Sequence, residues 1–428
     1  MHMITLSVFF ITLFLGLPIL LTLMLGTLVF LHQSDLLLLS SSLPLQFYGA
    51  LEKNGLLAIP LFMLVGELMN RGGLTDRLVE LANLLLGRMR GGLAYVNLLT
   101  NAVAASILGS AIAQIAVMSK VMIPAMEKQG YKRDFAAAVT VSGGLLGPII
   151  PPSMIMIIYG VIALQPISAL FLAGVLPGLL IFLGFVVVVM MLGFIHDFPK
   201  LERTARRKVS LIGLLKQLSP LMIPVFIIFG ISAGVMTPTE AGAVGALLAL
   251  IIGKWIYRSI LWSDLPEIFK QVALNTALIT GLIAAATMFG WALSFVGVPD
   301  RIVAMINAWT QSPWVFLLLI NLLVVVLGMF LESMSILIVL VPIVLPTVLA
   351  LGIDPIHFGV VISLATLIGL VTPPVGPGLF VVTSTTQVSM FGLFRAMIPF
   401  LIAMFVCMAI INLVPALSLW LPQQLGLS

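Results

Sequence analysis

Four short interruptions in long apolar runs hold most of the residues in this chain that could do chemistry. They are Ser106-Ile107-Leu108-Gly109-Ser110, Gly147-Pro148-Ile149-Ile150-Pro151-Pro152-Ser153, Gly328-Met329-Phe330-Leu331-Glu332-Ser333, and Gly369 to Gly376 around Pro373-Pro374. Each sets glycine beside serine, threonine or proline. Proline removes an amide donor and clashes one turn back, so such strings unwind a helix. Unwound backbone within a membrane frees carbonyls and amides that must find partners. Freed carbonyls and hydroxyls suit a hard cation such as Na⁺, and half-helix N-termini favour anions. Glu332 is the deepest acidic residue, with apolar runs on both sides. Three roles stay open for it: proton carrier, sodium ligand, or cap of its own loop. Glu240 follows Thr237-Pro238-Thr239 and reads as the first turn of a helix capped by Thr237 or Thr239. Glu67 and Asp76 read as cytoplasmic-face residues that set orientation. The four histidines are scattered and Cys407 is alone, so neither a metal cluster nor a disulfide frame is expected.

The elements that must position these breaks follow from composition. Of 428 residues, 61% are hydrophobic and 8% charged, and the mean hydropathy is +1.25. Ordinary globular proteins carry about 25% charged residues. A soluble enzyme, a nucleic-acid binder and a disordered scaffold are excluded. Five of the 20 basic residues fall between Lys200 and Lys208, which reads as a topology signal and not as a nucleic-acid patch. Runs without Asp, Glu, Lys or Arg cover 91–119, 135–196, 217–239, 271–299, 302–331, 333–353, 355–394 and 396–428. A spanning helix needs about 20 apolar residues, so several runs hold two passes. The chain is an all-α polytopic membrane protein embedded in a lipid bilayer. Met3 to Leu31 is too long for a signal peptide and lacks a small-residue cleavage site, so it is expected to remain as the first helix.

Lys and Arg mark cytoplasmic loops. Arg71, Arg77, Arg88 and Arg90 precede segment 93–119, and Lys128, Lys132 and Arg133 follow it. With both flanks basic and legs of about 13 residues, this segment is expected to be a re-entrant hairpin. Segment 135–164, broken at Pro151-Pro152, is expected to cross fully with an unwound middle before 168–195 returns to His196–Lys208. An offset of 222 aligns Pro124 with Pro346, Gly130 with Gly352, Gly147 with Gly369 and Pro151-Pro152 with Pro373-Pro374. An offset of 224 aligns Gly66 with Gly290, Gly73 with Gly297, and Asp76-Arg77 with Asp300-Arg301. Ordered matches of rare residues over long windows indicate duplication.

In the second copy, 313–350 lacks nearby Lys or Arg and should open from the outside, while 357–388 runs inward to Arg395. The copies are therefore expected to be inverted, as in many secondary transporters; Arg301, placed outside, is the exception. The N-terminal repeat is 1–208, with scaffold helices 1–92, hairpin 93–119, broken helix 135–164 and return helix 168–195. The C-terminal repeat is 209–428, with scaffold helices 211–312, hairpin 313–350, broken helix 357–388 and last helix 396–421. The N-terminus is expected in the cytoplasm and the C-terminus outside it.

Several strings in order along the chain carry a resemblance. They are Gly109-Ser110-Ala111, Ile123-Pro124-Ala125-Met126, Gly130-Tyr131, Gly147 to Ser153, Thr237-Pro238-Thr239-Glu240-Ala241, Gly352 to Gly359, and Gly369 to Gly376. Together they resemble the large membrane subunit of tripartite ATP-independent periplasmic (TRAP) transporters, of the DctM and SiaM type. One departure is Gln114, where that family more usually shows Asp. The resemblance implies an elevator-type, sodium-coupled importer of an organic acid in the bacterial inner membrane. It implies a small four-helix membrane subunit and a periplasmic substrate-binding protein as partners. Among the family's substrates it leans to a sialic acid or another carboxylated sugar, with dicarboxylates also in range. Independently of the resemblance, the sequence has no GxxxxGK[ST] phosphate loop for a primary pump.

Repeat symmetry pairs each hairpin tip with the unwound middle of the helix that follows, giving two expected Na⁺ sites. The first uses Ser106, Gly109, Ser110, Gly147, Ile150 and Pro151; the second uses Gly328, Gly369, Thr372 and Val375. The substrate carboxylate is expected between them, near the half-helix N-termini after Pro152 and Pro374, with Ser153, Glu332 and Ser333 nearby. One rival is a dicarboxylate or ion carrier of similar architecture that works without a binding protein. The other is a membrane-embedded enzyme, which the absence of any paired-Asp, Ser–His or His-metal set disfavours.

Overall fold

The structure is a computed structural model that describes residues 3–86, 91–108, 110–195, 198, 211–309 and 312–427. Among the described residues it is all helical. The first half holds α1 (Met3–Phe14), α2 (Ile19–Gln33), α3 (Leu43–Leu51), α4 (Ala58–Arg71), α5 (Leu74–Leu86), α6 (Gly92–Leu108), α7 (Ala111–Lys128), α8 (Arg133–Gly144), α9 (Met154–Ala163) and α10 (Ile167–Ile195). The second holds α11 (Leu211–Ser232), α12 (Pro238–Ile251), α13 (Leu265–Phe295), α14 (Val298–Trp309), α15 (Pro313–Gly328), α16 (Ser333–Ala350), α17 (Pro355–Leu370), α18 (Pro377–Thr386), α19 (Met390–Leu413) and α20 (Ala416–Gln424).

The order of elements occurs twice. α5 and α14 begin 224 residues apart, α7 and α16 and also α8 and α17 222 apart, and α9 and α18 and also α10 and α19 223 apart. Gly130 and Gly352 close the turns before the broken helices at φ +92° and +68°, a backbone conformation that costs glycine least. Leu164 and Gln387 end α9 and α18 in the same left-handed conformation, at φ +55° and +56°.

The two broken helices lie at the centre because they are apolar all round. Every residue from Ile356 to Leu370 is buried, as is every residue from Ala136 to Gly144. Hairpin α6–α7 packs on α8, and hairpin α15–α16 on α17. The second legs cross over, α7 onto α18 and α16 onto α9, so the halves interlock. Around this body stands a frame in which α4 packs on α12 and α13, and α13 on α2 and α3.

Five helical stretches among the described residues are long and apolar enough to cross a membrane singly: Ile167–Ile195, Pro238–Ile256, Trp262–Phe295, Ser333–Ala350 and Met390–Leu413. The chain is a multi-pass membrane protein. Its outward side chains agree: Phe194 is 84% exposed and Phe391 77%, an apolar surface suited to lipid.

Three expectations change. Met3 to Leu31 is not one helix. Gly16, at φ +77°, and Pro18 divide it, and Thr5 Oγ1 near the start of α1 donates to Gln33 Oε1 at the end of α2 across 2.6 Å, so the two run antiparallel. The turn residues Gly16-Leu17-Pro18 are themselves apolar, which hides the break from hydropathy. The legs of the first hairpin are 17 and 18 residues long, about 26 Å at 1.5 Å per residue. Lys120, taken as the end of an apolar run, is an exposed residue within α7, where a long side chain keeps its ammonium outward. Leg length therefore does not argue for re-entry; the flanking charge still does. The last helix stops at Leu413, because Pro415 has no amide to continue it, and α20 follows separately.

Candidate functional site

A cavity of about 440 Å³ opens between the frame and the hairpin tips, a size that takes a small organic molecule. Glu67 and Asn70 of α4 and Gln271 and Asn275 of α13 line one wall; Ser110, Pro152 and Glu332 line the other. Among the described residues, none of those lining it is Lys, Arg or His. Glu67 is held at 2.7 Å by Arg71, one turn along α4, so its charge is matched. Glu332 is the N-cap residue of α16, yet its side chain makes no capping hydrogen bond.

Three helices begin at the cavity: α7 after Ser110, α9 after Ser153, and α16 after Glu332. The first turn of a helix presents unpaired amides and a partial positive charge. Positive potential here comes from backbone, so the site could attract an anion without a basic side chain in its described lining. Ser153 Oγ accepts from Met156 N at 3.3 Å and donates to the Pro148 carbonyl, fixing the start of α9. A second void of about 10 Å³ separates the two tips and is bounded by Ser110, Glu332 and Ser333; it is on the order of one water in size. Ser333 Oγ is buried there without a hydrogen-bond partner.

In the second half the tip and the break are in direct contact. A Cβ on Gly328 would stand 2.8 Å from Gly369 Cα, and the Gly376 amide donates to the Met329 carbonyl at 3.0 Å. Thr372 Oγ1 donates to Ile368 O at 2.6 Å, which leaves its lone pairs free. Val375 and Pro374 are exposed and lie outside the cavity lining.

In the first half a fully buried polar ladder leads to the break. Asn97 Nδ2 donates to Thr140 Oγ1 at 2.7 Å, Asn101 Nδ2 to Asn97 Oδ1 at 2.7 Å, and Gln114 Nε2 to Asn101 O at 2.6 Å. Thr140 Oγ1 ends the ladder by donating to Ala136 O at 2.8 Å. Gln114 Oε1 is left without a partner and rests against Gly147. Membrane-buried carbonyl oxygen without a donor is a natural cation ligand. Ile150 and Pro151 belong to the same break, beside Gly178 of α10. Gly109 and the side chain of Ser106 lie outside the described residues, as do the His196–Lys208 loop apart from Phe198 and the side chain of Asp76.

Of the expected substrate contacts, Pro152 and Glu332 line the main cavity and Ser333 the small void; Ser153 is buried behind the start of α9. Sequence reasoning placed Glu67 only at a membrane face and overlooked Asn70, Gln271 and Asn275. Three uncharged amides on two helices leave no motif. Their signal is polarity inside apolar helices, which becomes informative only once α4 and α13 are known to face each other.

The family model of the DctM component of tripartite ATP-independent periplasmic transporters matches residues 6–417. The chain belongs to this family. Among the relatives of this TRAP large permease is the sialic acid TRAP transporter large permease protein SiaM of Vibrio cholerae, 36% identical over 378 residues, 88% of each chain. The C4-dicarboxylate large permease DctM of Pseudomonas aeruginosa is 36% identical over 387 residues, 90% of each chain. The 2,3-diketo-L-gulonate large permease YiaN of Escherichia coli is 33% identical over 366 residues, 85% of each chain. The fold is similar to that of the YdaH transporter of Alcanivorax borkumensis, at a TM-score of 0.67 over 90% of each chain and 13% identity. That likeness is one of fold. The relatives are transport permeases, and a transporter, not an enzyme, is what the family indicates.

Proposed function

We propose that this TRAP large permease carries out Na⁺-coupled import of an organic acid across the bacterial inner membrane. It works with a small four-helix membrane subunit and a periplasmic binding protein that delivers the substrate. One observation carries the reading: a cavity bordered by three helix N-termini and, among the described residues, free of basic side chains, which suits an anion held by backbone dipoles. Coupling to Na⁺ is supported by the neutral oxygens gathered at the breaks, above all Gln114 Oε1 beside Gly147 and Thr372 beside the Gly328–Gly369 contact. No described carboxylate stands at the first break, so a monovalent cation fits it better than a divalent one. The hairpins and broken helices interlock into one body, while α4 and α13 supply the opposing wall. Sliding of that body along the frame is the elevator movement, and an inverted arrangement of the two repeats, supported by the flanking charges, would give it two equivalent end states.

The cavity favours a sialic acid or another carboxylated sugar over a dicarboxylate. Asn70, Gln271 and Asn275 offer donors and acceptors for hydroxyls, whereas Glu332 repels a second carboxylate. Relatives named for sialic acid and for a keto sugar acid are consistent with that preference. The test is uptake in proteoliposomes holding both membrane subunits and the binding protein. An inward Na⁺ gradient should drive it. Equal uptake under a proton gradient without Na⁺ overturns the coupling, and equal uptake without the binding protein overturns the tripartite reading.

A further inference from the structure

The connection between α12 and α13 is knit far more tightly than a linker needs. α12 runs on into a π-helical turn, Ile252–Ile256. The Ser259 amide then donates back to Gly253 O at 2.9 Å and the Tyr257 amide to Ile252 O at 2.9 Å. Gly253 packs against Gly72 in the α4–α5 turn, where a Cβ would stand 3.2 Å from Gly72 Cα. The elbow thereby shares a membrane face with Arg71 and Arg77.

Two features of this elbow ask for a ligand. The first is aromatic: Trp255 is 58% exposed and Trp262 65%, and indoles collect at the headgroup level of a bilayer. The second is charge. Lys254 Nζ stands 4.0 Å above the Trp262 ring, and Arg258 is exposed at φ +57°. An arginine thus occupies a left-handed position where glycine would cost less. Neighbouring charges are spoken for: Arg77 pairs with Glu80 at 2.9 Å, Lys270 with Glu267 at 3.5 Å, and Asp264 accepts the Leu261 amide at 2.7 Å. Among the described residues Lys254 and Arg258 have no carboxylate within ion-pair distance.

We infer that this elbow seats the phosphate-bearing headgroup of an anionic phospholipid, with Lys254 and Arg258 on the phosphate and Trp255 and Trp262 at the acyl boundary. Charge complementarity selects the occupant: two unmatched cations flanked by interfacial indoles fit an anionic lipid and not a zwitterionic one. The site lies on the frame and is independent of the transport reading.

The test is native mass spectrometry of the full chain, titrated with phosphatidylglycerol or with phosphatidylcholine of the same acyl chains. Wild type should bind phosphatidylglycerol more tightly. Lys254→Gln with Arg258→Gln should weaken that binding about 30-fold, roughly five-fold for each basic residue near an anionic surface, and leave phosphatidylcholine unchanged. Lys254→Arg with Arg258→Lys should keep the preference. If the double glutamine variant melts lower in lipid-free detergent, the single Lys254→Gln variant carries the test. Undiminished phosphatidylglycerol binding in the glutamine variants, or equal binding of the two lipids by wild type, overturns the site. A thermal shift with inorganic phosphate as large as with phosphatidylglycerol overturns the lipid as its occupant.

Discussion

Gly328 and Gly369 face each other backbone to backbone: a Cβ on Gly369 would stand 2.6 Å from Gly328 Cα and 2.6 Å from Val325 O. These neighbours are main chain, which cannot swing aside as a side-chain tip can. The contact seals the second hairpin against the broken helix beneath it. Gly369→Ala is expected to force the two apart, at a cost of about 1–3 kcal/mol as in other overpacked sites. Thermal unfolding of the full chain in detergent measures the loss. A wild-type midpoint with wild-type uptake would mean the two elements are not held in this register.

That contact was half legible in sequence. The offset of 222 paired Gly147 with Gly369 and matched Ser106 with Gly328, so the meeting of tip and break was expected. Its chemistry was not. In the second half it is a glycine contact, backbone on backbone; in the first, Gly147 meets the Gln114 side chain. Spacing reports which elements meet, whereas side-chain direction depends on packing that no pattern encodes. In the second half, helices α15 to α18 start or stop beside the prolines and glycines that mark 313–350 and 357–388 in the sequence. The first two helices were not legible as two, because Leu17 sits between Gly16 and Pro18 and keeps the turn apolar.

Of the two threonines that the sequence offered as caps, Thr237 and not Thr239 caps α12. Its amide donates to Glu240 Oε2 at 2.8 Å, and the Glu240 amide donates to Thr237 Oγ1 at 3.3 Å, a reciprocal capping box. Thr237→Ala should destabilise the chain by about 1 kcal/mol. Because neither residue lines the cavity, half-saturating concentrations of Na⁺ and substrate should not move. A shift in either would give this cap a part in transport.

Gln114 Oε1 is the expected side-chain ligand of the first cation site. Gln114→Leu should raise the Na⁺ concentration for half-maximal uptake about ten-fold, corresponding to about 1–2 kcal/mol for a lost bond to a charge. Asn101→Ala removes one of the two acceptors of the Gln114 amide, Oδ1 at 3.0 Å, while keeping the backbone carbonyl at 2.6 Å, and should act in the same direction with smaller effect. In the second site Thr372→Ala should match Gln114→Leu. Sodium titration of uptake at saturating substrate reads all three. Unchanged half-saturation in both Gln114→Leu and Thr372→Ala would remove these breaks from the coupling site.

Among the described residues, Glu332 is the acidic group at the cavity that no basic side chain matches, since Arg71 pairs with Glu67 at 2.7 Å and no described Lys, Arg or His lines the space. Two like charges about 8 Å apart repel by about 2 kcal/mol at an effective dielectric of 20. A substrate with one carboxylate escapes this by directing that group to the amides of α7 and α9. One with two carboxylates cannot escape it in a cavity of about 440 Å³. Glu332→Gln keeps the shape and removes the charge. It should therefore improve competition by a four-carbon dicarboxylate at least ten-fold, while a carboxylated sugar loses only the strength of one charge-assisted hydrogen bond, about 1.5–3 kcal/mol at most. Competition against labelled substrate in proteoliposomes, run for both compounds at several concentrations, separates the two effects. If Glu332→Gln lowers affinity for both compounds equally, the carboxylate is an attachment point rather than a selector, and the proposed preference for a carboxylated sugar has no basis in this cavity.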